Sequence, residues 1–298
     1  MADKHDVLVI GTGITGLAAA RQALQDGLSV VMLEKLFFGG LVTNINQLDG
    51  AITGSGSDVA AGLMMEATRL GAKNIAAAAA SIERDGDALV VGSDAGSHRA
   101  RAVIVASGAL LKRLGIPGEA EFEENGVSHC ADCDGPFYQG QDVVVVGGGD
   151  SALQEAIVLA EFARTVYLVH RGPRFRARQH LVDQLKGHAN VVPHMQTRVE
   201  AVLGEQAVSG VRVSTEEGMR EIACTGFFPY IGLEPVCEFA PASVTRDPAG
   251  CLVTDANFLT AMPGVYAAGA VRSGYGGQLV HAMTEAIGAA KSAQAYLR

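Results

Sequence analysis

A chain of 298 residues suits two domains, and a hydrophobic share of 48% is ample for two cores. With 32 acidic against 23 basic residues the net charge is −9, which speaks against a nucleic-acid surface, where Lys and Arg stand in excess. No apolar run approaches the roughly 20 residues of a membrane span, Met1–Asp6 leads into an apolar strand without a signal peptide, and five cysteines with one tight pair fit a reducing compartment, so we expect a cytoplasmic protein.

Val7–Ile10 reads as a buried strand, Gly11-Thr12-Gly13-Ile14-Thr15-Gly16 as a turn, and Leu17–Gln25 as the helix that follows. Glycines let a backbone turn sharply and approach a pyrophosphate, whose charge meets free N–H groups at the helix start. Ser29–Leu33 is the next strand, and Glu34 at its end is placed to accept hydrogen bonds from the hydroxyls of an adenosine ribose. The alternative is an ordinary strand–helix turn with a surface Glu. Beyond it, Ala51–Ser57 is a glycine-rich, mobile loop, and Ser57 or Asp58 is the candidate cap of a helix running to Leu70.

Cys130-Ala131-Asp132-Cys133-Asp134-Gly135 pairs two thiols with acids, a dozen residues before a second glycine-rich turn. Zinc would need two more ligands at recognisable spacing, and although His129 is adjacent there is no second C-x-x-C. Cys224, Cys237 and Cys251 sit among apolar neighbours and read as structural. Asp142–Val146 is a strand, Gly147-Gly148-Gly149-Asp150-Ser151-Ala152 the turn, and Ala152–Ala163 an apolar-faced helix. Glu34 lies 23 positions after Gly11, and the same offset from Gly147 falls on His170, so the second site lacks a ribose carboxylate.

A basic run follows, His170-Arg171-Gly172-Pro173-Arg174-Phe175-Arg176-Ala177-Arg178. Guanidinium groups hold phosphate by bidentate, charge-assisted bonds, which suits the 2′-phosphate of NADPH. NADH is the second candidate, and a solvated basic loop the alternative. A last helix spans Gly277 to Leu297. Trp is absent, so packing relies on Ala, Val, Leu and close glycine contacts, and strand-like runs alternating with helix-like ones indicate parallel sheets with covered faces.

These motifs, with Gly39-Gly40, Ala106-Ser107-Gly108, Leu114-Gly115-Ile116-Pro117-Gly118 and Gly264-Val265-Tyr266-Ala267-Ala268-Gly269, stand in the order found in low-molecular-weight thioredoxin reductases, which the chain resembles over nearly its whole length. The resemblance implies an α/β fold of two Rossmann-like dinucleotide-binding domains: an FAD domain over 1–113 and 239–298, and inserted into it an NAD(P)H domain over 114–238 that carries the thiols. It implies FAD contacts from Gly11, Gly13, Ile14, Thr15, Gly16, Glu34, Gly39, Gly40, Ser107, Gly108, Gly269 and Gln278, and coenzyme contacts from Gly148, Gly149, Asp150, Ser151, His170, Arg171 and Arg176. It further implies electron flow from NADPH through FAD to Cys130 and Cys133, with Cys133 nearest the flavin, Cys130 attacking the external disulfide and Asp134 moving the proton. The partner would be thioredoxin, a thioredoxin-like protein or a small disulfide, and the assembly a homodimer.

Four departures stand out. Ala268-Gly269-Ala270 lacks the family's Asp, Gly277 replaces a basic residue before Gln278, Gly172 replaces the second Arg after His170, and Leu41–Gly50 lacks the usual Asn-aromatic-Pro-Gly. Arg174 and Arg178 are candidates to replace the missing Arg, and His281 shares the helix face of Gln278. Two other readings follow from these losses: a dithiol oxidase that passes electrons to oxygen, and a low-turnover redox-sensing flavoprotein.

Overall fold

The computed structural model describes residues 4–46, 48 and 52–298. The chain opens with β1 (Lys4–Ile10), α1 (Ile14–Gln25), β2 (Val30–Leu33), α2 (Gly56–Arg69), β3 (Lys73–Ile75), β4 (Ala79–Asp85), β5 (Ala88–Ser93), β6 (Gly96–Val105) and β7 (Ala109–Leu111). Then come α3 (Ala131–Asp134), β8 (Asp142–Gly147), α4 (Asp150–Ala160), β9 (Thr165–Val169), α5 (Gln179–Leu185), β10 (Val191–His194), β11 (Arg198–Gly204), β12 (Val208–Thr215), β13 (Gly218–Ala223) and β14 (Gly226–Tyr230). β15 (Leu233–Pro235), β16 (Val265–Ala267) and α6 (Leu279–Leu297) complete it. Residues Leu111–Leu233 form one compact unit, and the segments on either side of them form the other.

In the outer unit the strand order is β3-β2-β1-β6-β5-β4, with β16 also on β6. β1 pairs in parallel with β2 and β6, so that Val9 faces Met32 on one side and Ile104 on the other. Val7, Leu8 and Val9 are wholly buried, as a central strand covered on both faces requires. One cover is a helix seam made of alanine: Ala18, Ala19, Ala20 and Ala23 of α1 share a core with Ala286, Ala289, Ala290 and Ala293 of α6.

The helix starts differ from the sequence reading in ways the backbone explains. α1 begins at Ile14, not Leu17, because the Leu17 N–H already donates to the Gly13 carbonyl and the turn runs straight into the helix. The cap of α2 is Ser55, not Ser57 or Asp58: its hydroxyl accepts the Asp58 N–H at 3.0 Å and donates to the Asp58 carboxylate at 2.7 Å. Of the loop expected to be mobile, Ala51 lies outside the described residues. α6 starts at Leu279 with Gln278 as its cap, later than the Gly277 read from sequence.

The inner unit holds a parallel sheet, β10-β9-β8-β14, in which Val145 of β8 faces Leu168 and Phe228. β11, β12 and β13 form a separate antiparallel sheet. α4 spans Asp150–Ala160, starting and ending earlier than the expected Ala152–Ala163, since Gly149 is its cap. Among the described residues no helix is long and apolar enough to cross a membrane.

Candidate active site

β1 lies between β2 and β6, and β8 between β9 and β14, so each glycine-rich turn leaves its sheet where the strand order reverses. Ligands of open α/β sheets bind in that crevice. Gly11 has φ +97°, and a Cβ there would stand 2.5 Å from the Ala106 carbonyl oxygen; only glycine lets the turn close on the end of β6, where Ser107 lies. The Gly39 N–H donates to the Thr12 carbonyl at 2.8 Å, which brings Gly39 and Gly40 onto the same turn. Gly269, after β16, packs so tightly on Thr15 that a Cβ would meet the hydroxyl at 2.4 Å. Gly108 accepts the Val236 N–H, and the Ser107 hydroxyl donates to the Val236 carbonyl.

Gly11, Gly13, Ile14, Thr15, Gly16, Gly39, Gly40, Ser107, Gly108 and Gly269 therefore converge around the C-terminal end of β1. Glu34 joins them at the end of β2: Oε2 accepts the Thr12 N–H at 3.0 Å and its hydroxyl at 3.3 Å, and Oε1 accepts the Leu36 N–H at 3.0 Å. These bonds fix the carboxylate and leave Oε1 with acceptor capacity. Gln278, exposed at the cap of α6, stands seven residues before Glu285, roughly 10 Å along the helix. His281 packs its ring against Gly276.

Sequence reading missed Glu285 and Arg272. Glu285 Oε2 accepts the Gly269 N–H at 2.8 Å and the Arg272 Nε–H at 3.0 Å, and Oε1 takes a second Arg272 N–H at 2.5 Å. The pair holds Gly269 in place. Both carboxylate oxygens are engaged there. Its signal was an acid in an otherwise alanine stripe, Ala282, Ala286, Ala289 and Ala293.

In the inner unit Gly147 passes 2.3 Å, measured from the position of a Cβ, from the Tyr230 carbonyl oxygen, and Gly148 lies under the ring of His170 at 2.3 Å by the same measure. The Arg176 N–H donates to the Gly148 carbonyl at 2.7 Å, so the basic segment folds onto the turn. Burial, followed by the charges of Arg176 and Arg171, holds the His170 pKa below the usual histidine value. Arg178 is tied to Asp150, its backbone N–H and Nε–H both donating to that carboxylate, at 2.8 and 2.6 Å. Arg171, Arg174 and Arg176 remain as exposed guanidinium groups on that segment, and Ser151 is exposed on the first turn of α4.

Both turns fit a dinucleotide on the same ground. The caps of α1 and α4 are Gly13 and Gly149, neither with a side-chain capping bond; a Cβ at Gly149 would meet nothing within 4 Å, and one at Gly13 nothing nearer than 3.6 Å. The first N–H groups of both helices are thus open to phosphate oxygens.

Cys130 and Cys133 form a disulfide across α3, with Cα atoms 5.3 Å apart. Cys130 caps this single turn, its sulfur accepting the Cys133 N–H at 3.2 Å and its own N–H donating to the Ser128 hydroxyl at 3.2 Å. Cys130 is only 9% exposed whereas Cys133 is exposed. Cys133 is thus the more exposed residue of the pair. Asp134 is half-buried, and its charge, after burial, raises the pKa of Tyr138. His129 pairs with Glu123 at 3.0 Å.

Glu155 of α4 also escaped the sequence reading. Its Oε2 accepts the Ala131 N–H at 2.9 Å and the Tyr230 hydroxyl at 3.0 Å, tying α3 to α4 and β14. Its position among Ala152, Ala156 and Leu159, the buried stripe of α4, was the available signal. Of the other thiols, burial pushes Cys224 up to about 12, so it is inert, and Cys237 is buried with its S–H donating to the Gly250 carbonyl.

Two sheets, each with parallel strands flanking the one that opens on a glycine-rich turn, and a disulfide on the second unit define a disulfide oxidoreductase built for dinucleotides. The chain belongs to the pyridine nucleotide-disulphide oxidoreductase family, whose model matches residues 5–286, and within it to the low-molecular-weight thioredoxin reductases. It is 34% identical to the thioredoxin reductase of Treponema pallidum (strain Nichols), across 100% of this chain and 98% of that protein. It is 35% identical to that of Streptomyces clavuligerus, across 100% and 95%. The crystal structure of Lactococcus lactis thioredoxin reductase (FR conformation) superposes with a TM-score of 0.92 at 30% identity, over 98% of this chain and 99% of that one. The protein is an FAD-dependent disulfide reductase.

Proposed function

We propose that the protein passes electrons from NADPH through FAD to the Cys130–Cys133 disulfide, and from there to thioredoxin or a thioredoxin-like protein. The carrying observation is a disulfide whose second cysteine is exposed, on a helix packed against α4, whose first turn is the second glycine-rich site. The turn Gly11–Gly16, with Gly39, Gly40, Ser107, Gly108, Gly269 and Gln278, would hold FAD, and Glu34 would receive its ribose hydroxyls. Gly148, Gly149, Asp150, Ser151, His170, Arg171 and Arg176 would hold NADPH. We take the inserted unit as the NADPH domain and the outer segments as the FAD domain, in a cytoplasmic homodimer; the support is the family.

Bound flavin supplies the two-electron step between a nicotinamide hydride and a disulfide. Two electrons and two protons convert Cys130–Cys133 to two thiols. The Cys133 thiolate attacks the partner disulfide, forming a mixed disulfide and releasing one partner thiolate. Cys130 then displaces the second partner sulfur and the Cys130–Cys133 bond re-forms. Asp134, next to Cys133, takes and returns the proton in this exchange.

NADPH consumption in the presence of thioredoxin tests the reading; peroxide release from a dithiol in air, without NADPH, supports the oxidase reading instead. Asp134→Asn is expected to slow thiol transfer about a hundredfold while flavin content stays unchanged, read by rapid mixing. Arg176→Ala is expected to raise KM for NADPH roughly ten- to a hundredfold, the equivalent of one charged hydrogen bond of about 1.5–3 kcal/mol, and to leave KM for NADH unchanged. Steady-state rates with both coenzymes read this directly.

A further inference from the structure

We propose that Glu155 is a positioning residue that sets the thiol–disulfide balance of Cys130 and Cys133, by fixing a carboxylate on the peptide group that follows Cys130. The inference rests on the redox role given to the pair above and adds a residue that tunes it.

Three bonds define the arrangement. Glu155 Oε2 takes the Ala131 N–H at 2.9 Å, the first N–H of the turn that Cys130 caps, and the same oxygen takes the Tyr230 hydroxyl at 3.0 Å. The Cys130 sulfur accepts the Cys133 N–H at 3.2 Å from within that turn. A thiolate at the start of a helix gains from the N–H groups gathered there. Here one of those groups already serves an acid, whose charge sits one peptide from the sulfur's own residue. A like charge at this range disfavours the thiolate.

The groups that act on Glu155 are few. Burial raises its pKa most; the Ala131 N–H and the Tyr230 hydroxyl lower it, and Asp132 of α3 raises it. Tyr230, on β14, is held far above its usual range by burial and by Glu155, so it stays protonated and remains a donor. Asp134 acts on Tyr138, and His129 is taken by Glu123. Reducing the disulfide consumes two electrons and two protons. A carboxylate that opposes the thiolate keeps these protons on sulfur and leaves the pair the stronger reductant, because a stabilised thiolate makes a disulfide more oxidising.

Glu155→Gln keeps an oxygen acceptor for both donors and removes the charge. In the reduced Cys133→Ser protein, iodoacetamide alkylation of Cys130 across pH is expected to show a midpoint about one unit lower once Glu155→Gln is added, a tenfold gain in thiolate below it. In the protein with both cysteines, equilibration against a dithiothreitol buffer at a pH above both midpoints is expected to shift tenfold toward the dithiol, about 30 mV for a two-electron couple. Unchanged midpoint and unchanged equilibrium in Glu155→Gln overturn the proposal, also where Glu155→Ala shifts both, since the acceptor alone then matters. A pair that dithiothreitol does not reduce reversibly defeats the underlying redox reading instead, so the two failures are distinct.

Discussion

Cys133→Ser is expected to abolish NADPH-driven reduction of a protein disulfide, by a factor of at least about 10³, because it removes the more exposed cysteine of the pair. Cys130→Ser should fail differently. Cys133 still attacks, but no second sulfur displaces the partner, so a stable mixed disulfide accumulates at one partner per chain. Non-reducing electrophoresis and intact mass distinguish the two, with a thioredoxin that lacks its second cysteine and carries its first as a mixed disulfide with thionitrobenzoate, which supplies the bond to attack and leaves as the free thiol. If Cys133→Ser forms the adduct and Cys130→Ser does not, the assignment drawn from exposure is wrong. Alkylation in the dark without coenzyme provides the control, since both variants retain one thiol.

The second large effect is expected from Gly16→Ala. A Cβ at that position would stand 1.9 Å from the Gly11 carbonyl oxygen and 2.9 Å from its carbon, and these are backbone atoms at the heart of the first turn. Neither can swing aside, so the turn or the start of α1 must deform. Overpacking at such a point costs about 3 kcal/mol or more, and the helix N–H groups lose their aim at a phosphate. The purified variant is expected to lose its yellow colour and several degrees of thermal midpoint. Gly149→Ala is the matched control, since a Cβ there meets nothing within 4 Å. It should leave stability near wild type, with any loss confined to the nicotinamide coenzyme.

The parts legible in sequence were those where one residue type alone satisfies the backbone. Gly11 and Gly147 mark turns because a Cβ there would strike a neighbouring strand's carbonyl, and such positions announce themselves without any tertiary knowledge. Glu34 was legible because strand β2 ends beside β1 in every fold of this kind. Capping was less so: Ser55, Ser57 and Asp58 all lie within one turn, and only the closed bond from Asp58 N–H to the Ser55 hydroxyl separates them. That Arg178 pairs with Asp150, distant in sequence, could not be read from the basic run. Glu155 and Glu285 stayed hidden for the same reason. Their partners, Tyr230 and Gly269, arrive from other strands, and an acid in an apolar stripe signals a partner without naming it. Which of the two cysteines is the more exposed depends on how α3 is set against its neighbours, which spacing within the motif does not carry.

The alanine seam between α1 and α6 makes mutational tolerance in the outer unit lopsided. Alanine loses no side-chain rotamers on burial, so contact there comes free of entropic loss, but it also leaves no slack to absorb extra atoms. Trimming Ala19 or Ala289 to glycine should cost about 1 kcal/mol, the ordinary helical difference. Enlarging either to valine would wedge the rods apart at the very place that supports Gly269 through Glu285. Natural variation along this seam should therefore drift toward smaller residues and almost never toward bulkier ones.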